Sequence, residues 1–485
     1  MTVTNRTRWI ALYVLCLGDL MIVLDGTIVN VALPSIRDDL AFSQTSLAWV
    51  VNAYLLTFGG FLLLGGRLGD LFGHRRLFLI GISIFTVASF FCGIANSQAF
   101  LVSARAVQGI GGAIVSAVAL SLLMTLFTET ADRAKAMGVF GFVLSGGGVV
   151  GVLLGGVLTD LLSWHWIFFI NIPVGGVVLF LSKRLLPDHY GAAVRGRIDI
   201  AGAVSVTAAL MLAVYAIVNG NDKGWTSGQT LGMLGGAVAL LLVFLAIEAR
   251  IGSPLVPLGL FRNRNVSSAN VVGVLMAGGM FAYFFFSALY MQLIQGWTPL
   301  EVGLAYLPGT IIWGSSSLLL SDRLVMRFGI KPPLIGGMTL MAVALLLLAR
   351  MPVDANYVLD VFPATVLIGI GAGIAFNPIL LAAMSGVGPT EAGLASGVVN
   401  TSFMMGGALG LAALASIADS RTVSLTDSGD GRFAALNGGY HLAFLVGAVF
   451  IAGAATIAAA LLRSAQPAPM HAPAEQPQPA TAGAD

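Results

Sequence analysis

The sequence predicts an all-α polytopic membrane protein with two six-helix bundles plus two inserted transmembrane helices, fourteen spans in total. Three observations carry that prediction. Hydrophobic residues make up 57% of the 485 and charged residues only 9%, with a mean hydropathy of +0.93, far outside the balance of a water-soluble domain. Fourteen mostly apolar runs, each close to the roughly 20 residues a spanning helix needs, are separated by polar or Gly/Pro-bearing turns. The segment RLGDLFGHR, Arg67 to Arg75, aligns without gaps on RLVMRFGIK, Arg323 to Lys331, keeping RL, FG and the final basic charge. Such self-similarity marks two related halves.

In chain order the runs cover approximately residues 9–33 (α1), 46–66 (α2), 76–95 (α3), 99–127 (α4), 137–161 (α5), 165–186 (α6), 199–219 (α7), 230–248 (α8), 266–291 (α9), 300–320 (α10), 332–351 (α11), 358–385 (α12), 391–417 (α13) and 438–462 (α14). The repeat lies between α2 and α3 and again between α10 and α11. The expected organisation is therefore a tail at 1–8, a first bundle at 9–187, a linker with the inserted pair α7 and α8 at 188–265, a second bundle at 266–463, and a tail at 464–485. That last tail is rich in Pro and Ala without apolar periodicity, which predicts disorder.

Basic residues set the orientation. With the start of the chain inside, cytoplasmic segments collect eighteen Lys and Arg and outer loops five, the remaining one being Arg105 within α4. The asymmetry predicts both termini in the cytoplasm. The first run begins near Trp9 and shows no small-residue cleavage site, so α1 is read as a retained span and not a signal peptide.

Composition also excludes. A net charge of +2 offers no basic field for nucleic acid. Cys16 and Cys92 both sit in apolar runs and suggest neither a disulfide framework nor a metal site. The five histidines, His74, His165, His189, His441 and His471, fall at helix ends or in loops, and no nucleophile motif or phosphate loop appears. An intramembrane enzyme or sensor is therefore a remote reading, and no cofactor is expected.

Two acids stand inside α1, and an arginine inside α4. A charge in a membrane segment costs a few kcal/mol unless paired or hydrated, so each demands a partner. If α1 ends outside near Leu33, Asp25 lies roughly 12 Å below that surface at about 1.5 Å per residue, and Arg105 lies roughly 9 Å below it on α4. Asp19, roughly 21 Å down, is the poorer match. Asp25 is thus the expected partner of Arg105. Asp19 shares a helical side with Gly26 and Asn30, displaced by about 120° from Asp25. It reads either as a second proton or cation site facing a cavity or as a protonated acid hydrogen-bonded between helices.

These residues resemble the major facilitator superfamily, and the fourteen spans resemble its drug:proton antiporter family of the DHA2 type. Gly66-Arg67-Leu68-Gly69-Asp70-Leu71-Phe72-Gly73-His74-Arg75 fits the superfamily pattern G-x-L-x-D-x-x-G-x-R/K, with His74 where Arg or Lys is usual. The resemblance implies an inner gate built from Gly66, Asp70, Gly73 and Arg75, with Asp70 facing the start of α13 around Ala395, Ser396 and Gly397. Arg105-Ala106-Val107-Gln108-Gly109-Ile110-Gly111 matches R-x-x-Q-G-x-G. Leu24 to Pro34, LDGTIVNVALP, matches the family's signature in α1 and implies that Asp25 is the proton site or part of its relay, a permanent structural ion pair being the alternative.

In α5, Gly138, Gly147, Gly151, Gly155 and Gly156 reproduce the antiporter spacing, although Val152 replaces the proline; close packing across the half interface is expected there. Trp164 to Pro173, WHWIFFINIP, resembles a further family segment whose aromatics suit an outer interfacial belt. In α9, Phe281, Tyr283, Phe284, Phe285, Phe286 and Tyr290 either line a pocket for flat substrates or pack toward lipid. Asn30, Tyr283, Tyr290 and Asn377, the last beside Pro378 in α12, are the expected substrate contacts.

The resemblance implies proton-coupled drug efflux by alternating access, driven by the proton gradient, in a bacterial cytoplasmic membrane. Expected partners are an amphipathic small molecule, protons and the lipid bilayer, with the protein functional as a monomer. A proton symporter importing a metabolite or siderophore is the alternative on the same fold.

Overall fold

The computed structural model describes residues 5–463 except 128, 187–198, 253, 386 and 388. The expected terminal tail at 464–485 lies outside the described residues. Among the described residues all fourteen runs are helical, and thirteen of the helices are long and apolar enough to cross a membrane. The remaining one, α5, spans Thr130–Leu161 and ends in the apolar stretch Gly146–Leu161. The short helix Gly220–Lys223 joins α7 to α8, and a 3-10 turn, Leu258–Arg262, leads into α9.

Several helices run beyond the limits read from hydropathy. The first, α1, covers Asn5–Leu40 and continues through Pro34. Proline removes one backbone bond, and the helix persists with Ile36 beyond it fully buried. Likewise α13 covers Pro389–Asp427. Apolar runs report the bilayer-facing part of a helix, whereas caps set its true ends. Ser43 starts α2 by accepting from Ser46 N at 3.1 Å. Thr298 and Glu301 form a reciprocal capping box at the start of α10.

The turns that carry the sequence repeat have the same construction. Gly73 ends α2 at φ 91° and Gly329 ends the helix Asp322–Phe328 at φ 79°, a left-handed geometry that favours glycine. Each donates its N–H to the carbonyl four residues back, Gly73 to Gly69 at 2.9 Å and Gly329 to Val325 at 2.8 Å. The likeness extends into the next helices. Gly81 of α3 meets Gly111 of α4 and Gly337 of α11 meets Gly371 of α12, backbone against backbone.

In the first half α4 packs between α2 and α3, α5 lies along α1, and α6 fills the space beside α1 and α3. In the second, α9 packs on α13 and α14 while α11 and α12 pair. Two antiparallel contacts dominate between the halves, α2 with α13 and α5 with α10. The pair α7 and α8 stand against each other, and α7 rests on both α2 and α13. The end of the molecule where α1 begins is called here the near end, and the opposite one the far end.

Candidate functional site

Asp25 and Arg105 meet. The Asp25 carboxylate is 1% exposed and the Arg105 side chain wholly buried, and Arg105 Nη1 donates to Asp25 Oδ2. The depth argument works because charges are few: at 1.5 Å per residue, only one acid on α1 lies level with Arg105.

A cage of neutral polar groups completes the pair. Arg105 Nε donates to the Val50 carbonyl of α2 at 3.0 Å, and Arg105 Nη1 also donates to Gln108 Oε1 at 2.7 Å. Gln108 Nε2 in turn donates to Asp25 Oδ1 at 2.7 Å and to Ser89 Oγ of α3 at 2.8 Å. From α6, Asn171 Nδ2 reaches Asp25 Oδ1 at 3.5 Å and Ser89 Oγ at 3.4 Å. The guanidinium lies over the Tyr54 ring at 4.4 Å and within 5.7 Å of the Phe168 ring centre, where the ring quadrupole favours a cation. Five helices, α1, α2, α3, α4 and α6, thus supply one site. Bidentate use of Gln108, once to each member of the pair, holds carboxylate and guanidinium in register.

Sequence reasoning found the two charges and missed the cage. Gln108 is quoted within a motif, one helical turn from Arg105, and that spacing is the signal that could have identified it. Ser89 and Asn171 each stand as a polar residue in an apolar run.

Asp19 occupies a second, separate position. It is 3% exposed and accepts from Ser116 Oγ of α4 at 2.8 Å. Both acids of α1 therefore face α4, at different levels.

The glycines of α5 divide between two partners. A Cβ on Gly147 would meet Leu20 and Val23, one on Gly151 would meet Leu24, and one on Gly155 would meet Ile28, all on α1. Only Gly156 faces the other half, where a Cβ would lie 2.7 Å from the Pro299 carbonyl and 2.9 Å from Leu300 Cα on α10. Gly138 has nothing within 4 Å. The expectation that this motif packs across the half interface is corrected accordingly: its spacing fits the α1 groove, and one glycine completes the far-end contact. Gln292 of α9 adds to that contact by donating to the Val31 carbonyl at 2.8 Å.

At the near end, Asp70 Oδ1 lies 3.3 Å from His74 Nε2, and Arg75 donates to the Lys183 carbonyl at the end of α6, 2.5 Å away. A Cβ on Gly66 would meet only Ala117, at 4.0 Å. The predicted level of Asp70 needs correction. A Cβ on Gly59 would lie 3.4 Å from the Thr401 carbonyl and one on Gly397 would lie 2.8 Å from Leu63, which fixes the antiparallel register of α2 and α13. That register sets Asp70 level with Thr390, in the first turn of α13, two turns before the 395–397 segment. The side chains of that first turn, Glu391 included, lie outside the described residues.

The aromatics of α9 are mostly interior, which goes against the lipid-facing alternative for most of them. Phe285 and Phe286 are fully buried, and Phe286 packs against Tyr440 and Phe444 of α14. Tyr283, Phe284, Tyr306, Thr310 and Trp313 line a narrow cleft shared with α12. Tyr290 does not join it, because its hydroxyl is committed to the Pro352 carbonyl at 2.5 Å. Asn30 turns its amide onto its own helix, toward the Gly26 carbonyl at 3.2 Å. Asn377 reaches Ser317 Oγ at 3.5 Å. Trp164, expected in the outer belt, is 4% exposed and donates to Asp39 Oδ2 at 3.0 Å.

The sequence profile of the Major Facilitator Superfamily matches residues 15–411. The chain belongs to this superfamily. As a major facilitator it is a multi-pass membrane transporter, and enzyme chemistry is not its business. A puromycin resistance protein of Streptomyces alboniger is 38% identical over 92% of this chain and 90% of its own length. A cephamycin export protein of Amycolatopsis lactamdurans is 36% identical over 97% and 96%, and a lincomycin resistance protein of Streptomyces lincolnensis is 35% identical over 85% of each. Among solved structures, an auto-inhibited peptide transporter of the POT family superposes with a TM-score of 0.67 at 15% identity, covering 96% of this chain and 98% of that one. At that identity the likeness speaks for the fold alone.

Proposed function

We propose that the protein exports an amphipathic, antibiotic-like compound across a bacterial cytoplasmic membrane in exchange for protons. The observation that carries this reading is the caged Asp25–Arg105 pair, because its surroundings suit both protonation states of the acid. With a proton on Asp25, the carboxyl keeps the Gln108 and Asn171 amides as partners. Arg105 keeps the Val50 carbonyl, Gln108 Oε1 and the Tyr54 ring. What changes is the attraction between α1 and α4: both side chains keep neutral hydrogen-bond partners, while the buried guanidinium loses its countercharge, which gives protonation the free energy to bias the conformation.

Helix α5 is the route by which that change reaches the half interface. It holds α1 along one side and α10 along the other, so a shift of α1 alters the far-end contact. Alternating access by rocking of two six-helix bundles follows from this linkage. The basic near end is the cytoplasmic face with both termini, and the unit of function is a monomer in the bilayer. A membrane potential of 100 mV contributes about 2.3 kcal/mol per proton charge moved, to which a pH gradient adds. The export direction is supported by the names of the relatives, three of which refer to resistance or export of antibiotics.

The test is a drug-susceptibility panel in an efflux-deficient host carrying the wild type, Asp25→Asn or Asp19→Asn. Asp25→Asn is expected to abolish resistance at wild-type expression, whereas full resistance in that variant would remove Asp25 from the coupling. Accumulation of the compound by right-side-out vesicles under an inward proton gradient would favour the symporter instead.

A further inference from the structure

A second pair of buried acids faces itself at the near end of the inserted helices. Asp199 precedes α7 and is 1% exposed; Glu248, in the last turn of α8, is 3% exposed. Asp199 Oδ1 caps α7 by accepting from Gly202 N–H at 2.7 Å. Glu248 Oε2 accepts from Val256 N–H at 3.1 Å. Leu255 packs with Ala203, the residue after Gly202, and with Leu64 of α2. Both carboxyls are thus anchored on backbone segments that touch through Leu255 and Ala203, which brings them together at the near end. Their remaining oxygens, Asp199 Oδ2 and Glu248 Oε1, are buried with no hydrogen-bond partner among the described residues.

No basic side chain forms an ion pair with either acid among the described residues. Arg250 lines a surface groove with Val243, Ile247 and Ile251. The charges that α2 carries at this end are Arg67 and Asp70, and Asp70 lies beside His74. From α13 the charged group at this end is Glu391, whose side chain, like Arg195 and Arg197, lies outside the described residues. Two ionised carboxylates in such contact repel, and their desolvation is not repaid. A single proton between them turns the repulsion into a charge-assisted O–H···O⁻ bond and satisfies both stranded oxygens.

We propose that Asp199 and Glu248 form a proton-sharing carboxyl pair, a protonation site separate from those of α1, that clasps the linker at Leu255 and Val256 onto α2. Its target is informative. Leu255 sits in a patch with Leu64 and is flanked by Phe61 and Leu63, and Leu63 is the residue that meets Gly397 of α13. The clasp therefore bears on the stretch of α2 that contacts the other half. Loss of the shared proton at high near-end pH puts two charges face to face and frees the linker.

Infrared difference spectroscopy of the full chain tests the pair directly, comparing the wild type with Asp199→Asn/Glu248→Gln at neutral pH. The wild type is expected to show an additional protonated-carboxyl stretch that disappears on alkaline titration. Hydrogen exchange of Leu255 and Val256 should rise in the wild type above that pH while the neutral double variant stays protected at the same pH. Should the double variant fail to fold, Glu248→Gln alone serves, since an amide beside Asp199 leaves no proton to share. Absence of the additional stretch, or equal linker exchange in wild type and variant at alkaline pH, overturns the proposal.

Discussion

Removing Arg105 would leave Asp25 with two amide donors and no countercharge in a dry site. Breaking a buried pair from one side costs about 3–5 kcal/mol, so Arg105→Ala should lower the thermal midpoint of the purified protein more than any other single change in the cage. Gln108→Ala removes a neutral bridge and should cost less, about 1–3 kcal/mol. Asp25→Asn combined with Arg105→Gln should recover part of the loss, because no lone charge remains. A midpoint for Arg105→Ala equal to wild type would mean that water reaches the pair. At this scale the sequence announces charges far better than it announces their partners. Asp25 and Arg105 stand out because so few residues are ionisable, whereas Gln108, Ser89 and Asn171 are neutral and their convergence depends on five helices. Tyr290 illustrates the same limit, since its commitment to the Pro352 carbonyl involves a loop that no periodicity announces.

Among the helices, α5 carries the mechanical burden of the account. Gly156→Leu would push the α10 backbone away at the far end, so it should hold the far end open, seen as faster labelling of a single cysteine placed at Leu300 by an impermeant thiol reagent. Gly138→Ala, which meets nothing, should label like the wild type, and equal rates for both variants would separate Gly156 from far-end closure. The glycine spacing was legible in the sequence, but its partner was not, because glycines mark close approach without naming what approaches. The far-end turn before α6 adds a pH dependence. His165 stacks on Trp164 at 3.8 Å, and burial lowers its pKa against the opposing pull of Asp39. A histidine whose folded pKa is lowered contributes stability above its unfolded pKa, about 6.5, and loses it as pH falls toward the folded value. Stability is therefore expected to drop on acidification from pH about 7 more in the wild type than in His165→Gln, measured by thermal midpoints in detergent; parallel curves would exclude His165.

For the whole molecule, the spans were legible because hydropathy and length suffice for a bilayer, and the repeat was legible because Gly73 and Gly329 serve the same left-handed turn. Helix ends were not, since α1 and α13 extend past their apolar runs with Ile36 and Ala418 buried beyond those limits, packing that hydropathy does not register. The far-end contacts of α5 with α10 and of α1 with α9, and the near-end approach of α13 to α2, are surfaces an alternating-access cycle would exchange. The central claim is that proton movement through Asp25 drives export. It is tested most directly in proteoliposomes holding an internal pH dye, with a transported drug added on the cytoplasmic face. Drug addition should produce a proton flux opposite to drug movement in the wild type and none in Asp25→Asn, at equal incorporation. Equal drug-dependent proton flux in Asp25→Asn would contradict the account.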